Sequence, residues 1–109
     1  MDDRYELHSR LQELVARADI GYRSFRQFHH VAYTTFYQFV KNPEIARDKT
    51  LTSVRLVCEF LSAALAARLL PIPREKKKEK HEIIDSLYNH WWNHNKQFVI
   101  KPEVEQELI

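Results

Sequence analysis

The chain has almost no glycine: Gly21 is the only one in 109 residues, beside four prolines. Tight turns are therefore scarce, and long helical segments are predicted. Cysteine is equally rare. Cys58 stands alone in an apolar run and cannot form an intrachain disulfide, which suits a reducing cytoplasm. No apolar run approaches the roughly 20 residues that span a bilayer. The opening MDDRYELHSR is charged and lacks the apolar stretch of a signal peptide. A Gly-rich phosphate loop, a recognisable Ser/His/Asp arrangement and a paired-carboxylate motif are all missing, so neither catalysis nor a cofactor is expected. Glu13, Asp19, Glu82 and Asp85 read as isolated surface acids. His90 and His94 lie four apart, with His81 and Asp85 nearby, but structural zinc sites want four ligands, often including Cys. Cys58 is far away in the sequence, and these residues read as surface histidines with no metal.

Hydrophobic residues make up 44% of the chain, enough to exclude wholesale disorder. The formal net charge of +2 is too small to announce nucleic acid by itself. Its distribution says more. From Ile20 to Asn42 the sequence carries Arg23, Arg26 and Lys41 and no acidic residue, while acids gather near the start and at the very end.

Apolar periodicity predicts five helices and an all-α fold. The first, about Asp3 to Ala18, places Leu7, Leu11, Leu14, Val15 and Ala18 on one face. Gly21 offers a natural stop. A short second helix, about Tyr22 to His29, turns Phe25 and Phe28 inward. After Val31-Ala32 a third helix, about Tyr33 to Lys41, has Phe36, Phe39 and Val40 on its apolar face, with Tyr33, Thr34, Tyr37 and Gln38 opposite. Asn42-Pro43 ends it, because the residue before proline is pushed out of helical geometry. Thr50 is the expected N-cap of a long fourth helix ending near Leu70. That helix is apolar far beyond one stripe, from Leu51 and Val54 through Phe60 and Leu61 to Leu69. The excess calls for cover, either by a second copy of the chain or by the C-terminal segment folding back. Residues 71–80 read as a charged linker or, from Arg74 to Lys80, equally as the exposed first turns of the next helix. Glu79 to Lys96 forms the fifth helix, carrying Trp91 and Trp92, whose indoles suit an interface. Phe98-Val99-Ile100 reads as a short extended piece before an acidic tail.

Two short helices joined by a tight turn and backed by longer ones form a DNA-reading unit when apolar residues hold the second helix rigid and its outer face is free of acids. Here the holding positions are Ile20, Phe25, Val31, Phe36 and Phe39. The stretch LQELVARADIGYRSFRQFHHVAYTTFYQFVKN, followed by KTLTSVRLVCEFL, resembles the Cro and lambda-repressor family of helix-turn-helix domains. The likeness covers roughly Leu7 to Leu70. Phe28 stands in for an aliphatic residue usual at His29. Arg26 replaces an alanine of close helix approach, and His30 replaces the glycine of the turn. The resemblance implies base-reading positions at Tyr33, Thr34, Tyr37 and Gln38, and phosphate contacts at Tyr22, Arg23, Lys41 and Asn42.

These readings converge on residues 1–70 as a DNA-binding domain, residues 71–80 as a linker, and residues 81–109 as a helix and tail serving dimerisation. The expected function is a cytoplasmic, nucleoid-associated transcriptional regulator of phage or mobile-element type. It would repress as a homodimer on a palindromic operator of double-stranded DNA. The rival is a protein-binding adaptor or inhibitor that uses the same scaffold, with the aromatic third helix as its contact face.

Overall fold

The computed structural model describes residues 4–28 and 31–99, with the side chains of residues 96–99 excepted. His29 and His30, and the acidic tail, lie outside the described residues. The fold is all-α: four helices, α1 (Arg4–Ala18), α2 (Tyr33–Lys41), α3 (Asp48–Ala66) and α4 (Lys80–Val99), and no strand among the described residues. None of the helices described is long and apolar enough to cross a membrane.

The expected second helix is instead a single 3-10 turn, Tyr22–Phe25. Its bonds run from Ser24 N to Gly21 O, from Arg26 N to Arg23 O and from Phe28 N to Phe25 O, each spanning three residues. The reason lies in the spacing of its aromatics. Tyr22, Phe25 and Phe28 recur every third residue, and a helix with 3.0 residues per turn stacks such positions in one line. Phe25 and Phe28 are both buried, ring against ring at 5.2 Å in a T-shaped contact. No side-chain cap at Gly21 opposes the tighter winding.

Helix ends depart from expectation in the same local way. α1 is stopped by Asp19, not Gly21. Asp19 adopts a left-handed φ of 54°, with Asp19 N donating to Ala16 O and Ile20 N to Val15 O, the paired bonds of a Schellman motif. Gly21 keeps an extended φ of −95°. α3 begins two residues before Thr50, with Arg47 as its N-cap residue, so Thr50 lies inside the helix and is buried. α3 also ends before Leu70: Arg68 takes φ 61°, Arg68 N donates to Leu65 O, and Leu69 N donates to Ala64 O. The segment Arg74–Glu79 is a 3-10 turn that runs straight into α4. α4 continues to Val99, so Phe98 and Val99 are helical, not extended; Ile100 lies outside the described residues.

α3 is the axis of the molecule. Val54, Val57, Cys58 and Leu61 have no exposure at all. α1 and α2 pack on it, and so does α4, which folds back and covers the surplus apolar side. Tyr88 of α4 stacks on Phe28 at 3.9 Å and meets Phe60 of α3 at 5.3 Å. Trp92 is buried, and Trp91 packs beside Phe60 at 5.7 Å. The tryptophan pair thus joins this chain's own core. Aromatic contacts of this kind contribute about 0.5–1.5 kcal/mol each beyond the area they bury.

Candidate nucleic-acid interface

α2 spans the residues that its periodicity predicts, Tyr33 to Lys41. At about 100° per residue, Tyr33, Tyr37, Lys41, Thr34 and Gln38 fall within an arc of roughly 140°; Phe36 and Phe39 fall on the opposite side, and half-buried Val40 lies at the edge of the arc beside Tyr33. Phe36 and Phe39 are completely buried (0% exposed). Thr34, Tyr37, Gln38 and Lys41 are exposed, and Tyr33 is half-buried. Its two phenylalanines therefore anchor α2 rigidly, with its polar arc facing solvent.

That arc divides into two edges. Along one runs a row of alternating cations and rings. The Arg26 guanidinium lies 5.5 Å from the Tyr33 ring centre, Tyr33 and Tyr37 stack at 5.9 Å, and Lys41 Nζ lies 4.7 Å from the Tyr37 ring centre. Each cation sits over an aromatic face, where the ring quadrupole attracts it by about 0.5–1 kcal/mol at an exposed site. The row holds positive charge in place at both ends of the helix face. Along the other edge stand Thr34 and Gln38, free to present a hydroxyl and an amide.

The 3-10 turn sits beside this face. Tyr22 is half-buried, its ring 6.1 Å from Phe36. Burial raises its phenol pKa, so it remains a neutral O–H donor. Arg23 and Arg26, three apart on a 3-10 winding, share the exposed side. With Tyr22, Tyr33 and Tyr37 they line a cleft of about 440 Å³. Among the described residues, neither arginine nor Lys41 forms an ion pair. Asn42 closes α2, its N–H donating to Gln38 O at 2.8 Å, and is exposed. At the other end the N-cap residue Ala32 gives α2 no side-chain cap.

The eight site residues expected from the sequence thus gather on α2 and its flanking segments. Arg26 is a further member, which sequence reasoning missed. The 3-10 winding turns it outward over Tyr33. The signal was present in the period-three spacing of Arg23 and Arg26 beside Tyr22, Phe25 and Phe28. The histidine pair behaves differently: His90 and His94 rings lie 4.2 Å apart, and the ring of His94 bonds back to the His90 carbonyl through Nδ1. No group of three or more metal-ligating side chains forms among the described residues. Chemically, the α2 face presents fixed cations, neutral donors and flat rings side by side. Compared with protein-family models, with curated proteins and with solved structures, the chain matches none, and its site is read from its own residues.

Proposed function

We propose that this chain is a sequence-specific double-stranded DNA-binding regulator that lays the outward arc of α2 in the major groove. The observation that carries the reading is the two-edged arc itself. A buried Phe36/Phe39 side holds the helix, Thr34 and Gln38 face outward, and they are flanked by cations that form no ion pair among the described residues. In this reading residues 1–70 form a helix-turn-helix domain in which the Tyr22–Phe25 turn stands in place of the first short helix. Gln38 donates to and accepts from adenine, and Thr34 touches a thymine methyl. Tyr33 and Tyr37 lie against the groove wall, while Tyr22, Arg23, Lys41 and Asn42 hold phosphates. The protein acts as a homodimeric repressor, its two recognition helices one DNA turn (about 34 Å) apart on a palindromic operator. Such a role belongs in the cytoplasm at the nucleoid, in a phage or mobile-element context.

Selection from a random duplex pool, followed by anisotropy titrations at several salt concentrations, tests the proposal. A palindromic consensus and a solution mass of twice 13.1 kDa are expected. Gln38→Ala should weaken binding to the selected sequence by about 1–3 kcal/mol while leaving the salt slope unchanged. Arg23→Ala should instead reduce the slope of log affinity against log salt by about 0.9. Duplex binding that is absent, or indifferent to both substitutions, would overturn the reading.

The stack of half-buried Tyr33 on exposed Tyr37 supports a second reading, an adaptor that docks a protein on α2. It predicts that Tyr37→Ala abolishes partner capture and that salt has little effect on the complex.

A further inference from the structure

The lysine-rich segment before α4 reads from the sequence as a solvated linker or as the exposed first turns of the next helix. It is solvated, and the chain is anchored where it ends. Lys80 Nζ donates to the carbonyl of Asp19, at the junction between α1 and the Tyr22–Phe25 turn. One residue on, the His81 ring meets the Ser24 hydroxyl at 3.4 Å. His81 and Asp85 of α4 then complete a cleft of about 230 Å³ whose other walls are Arg23, Ser24, Arg26 and Gln27. Arg23 and Arg26 thus belong to two adjoining clefts, one opening towards α2 and one towards the start of α4.

The 3-10 turn Arg74–Glu79 immediately precedes this anchored point and is exposed throughout. At about 2 Å rise per residue, Lys77 and Lys78 stand roughly 4–6 Å along the chain from Lys80. That is inside the ~10 Å screening length of 0.1 M salt, so their field and that of the anchored turn overlap. Residues 74–80 carry Arg74, Lys76, Lys77, Lys78 and Lys80 against Glu75 and Glu79. None of Lys76, Lys77 and Lys78 forms an ion pair among the described residues. Glu82 and Asp85 are the acids of the next turn. They follow the anchor in the chain, and Asp85 shares the smaller cleft with Arg23 and Arg26.

We infer that the Arg74–Glu79 turn is a second phosphate-contacting strip, which extends the α2 face across Arg23 and Arg26 and grips the sugar–phosphate backbone of the same duplex. This role rests on the duplex-binding reading of α2 and gives the start of α4 a part in DNA binding, beyond that of a tether. A nucleic acid suits this strip better than a lipid surface, because it leads directly into the His81 wall of the arginine-lined cleft and carries no apolar side chain among residues 74–82 for insertion.

The test uses the full chain and a duplex of about 20 base pairs, titrated by anisotropy from roughly 50 to 300 mM KCl. Lys76→Gln, Lys77→Gln and Lys78→Gln combined should make the salt slope shallower by about 2 to 3, at roughly 0.9 for each phosphate no longer neutralised. The three corresponding Lys→Arg substitutions should keep the slope, since charge is what matters there. Far-UV circular dichroism should show both variants folded, the positions being exposed. A wild-type chain that binds duplex with a steep slope, matched by the triple Gln variant, overturns the strip and leaves the α2 reading standing. A wild-type chain that binds no duplex overturns both. Binding to vesicles with about a third anionic lipid that is lost in the triple Gln variant, while its duplex slope is unchanged, assigns the strip to a membrane and also overturns it.

Discussion

His8 ties α1 to the far end of α2. Its Nε2–H donates to the Val40 carbonyl at 2.9 Å, and its ring meets Phe39 edge-on at 5.6 Å. The last carbonyls of a helix have no partner within it, so this bond satisfies a group that would otherwise depend on water. It also joins α2 to α1 at the end away from the Tyr22–Phe25 turn. His8→Ala should cost about 1–2 kcal/mol in urea denaturation. Duplex affinity should fall too, with the salt slope intact, because His8 neutralises no phosphate. Unchanged affinity in a destabilised variant would show that α2 is oriented without this residue. Cys58 makes a different point. Burial pushes its thiol from 9.0 up to about 11, outweighing the nearby Arg10 charge. The folded state therefore holds the thiol proton more tightly than the unfolded chain. The stabilisation this brings is complete below pH 9 and is lost as pH rises towards 11, about 2–3 kcal/mol in all. Burial raises the Tyr88 phenol as well, so the alkaline loss deepens at higher pH. Cys58→Ala should flatten the stability curve between pH 9 and 10 in chemical denaturation, and a curve as steep as the wild type would refute the assignment.

Helix ends hold the next set of consequences. Arg68 closes α3 in a left-handed conformation that costs an ordinary L-residue roughly 1–2 kcal/mol. Glycine would relieve that cost and return about 0.5–1 kcal/mol of it through the freedom of the unfolded chain. Arg68→Gly should thus stabilise the protein by about 0.5–1 kcal/mol, read as a higher urea midpoint at constant m-value. Gly21 invites the opposite exchange. Its φ of −95° suits any residue, and an added Cβ meets nothing within 4 Å. Gly21→Ala should therefore raise stability as well, by about 0.4–1 kcal/mol. From the sequence, Gly21 is the obvious stop for α1. Asp19 takes the role because aspartate tolerates left-handed geometry and Ile20 can follow it into the core. Elements with a long 3.6-residue period, α1 and α2, were legible to within a residue. So was the outward arc of α2, because its phenylalanines mark the inward side unambiguously. The Tyr22–Phe25 turn was not, since three aromatics at period three fit a short amphipathic α-helix almost as well. Thr50 misleads for a related reason: a residue able to cap a helix also fits inside one, and Arg47 lies nearer the true start.

For the whole molecule the question is what covers α3. The sequence shows that its apolar surface exceeds one stripe; it cannot show whether α4 or a second chain lies on it. In the structure α4 does so, and Ile84, Tyr88 and Trp92 join the same buried cluster as Phe28 and Phe60. Removing three such side chains, and uncovering two more, forfeits about 1.5–3 kcal/mol each. That is comparable with the 5–15 kcal/mol that keeps a domain folded at all. α4 should therefore melt together with α1–α3 in one transition. The chain carries its own reporters for this test. Trp91 and Trp92 are its only tryptophans, and both lie on α4. Tryptophan emission follows α4, while far-UV circular dichroism follows all four helices. The two signals should trace one urea curve with a common midpoint. Tyr88→Ala should shift both together, by about 3–5 kcal/mol, because the cavity it leaves lies between Phe28 and Phe60. Should emission change at lower urea than ellipticity, α4 would be a separately stable appendage, and the lysine strip it anchors would no longer be held rigidly beside Arg23 and Arg26.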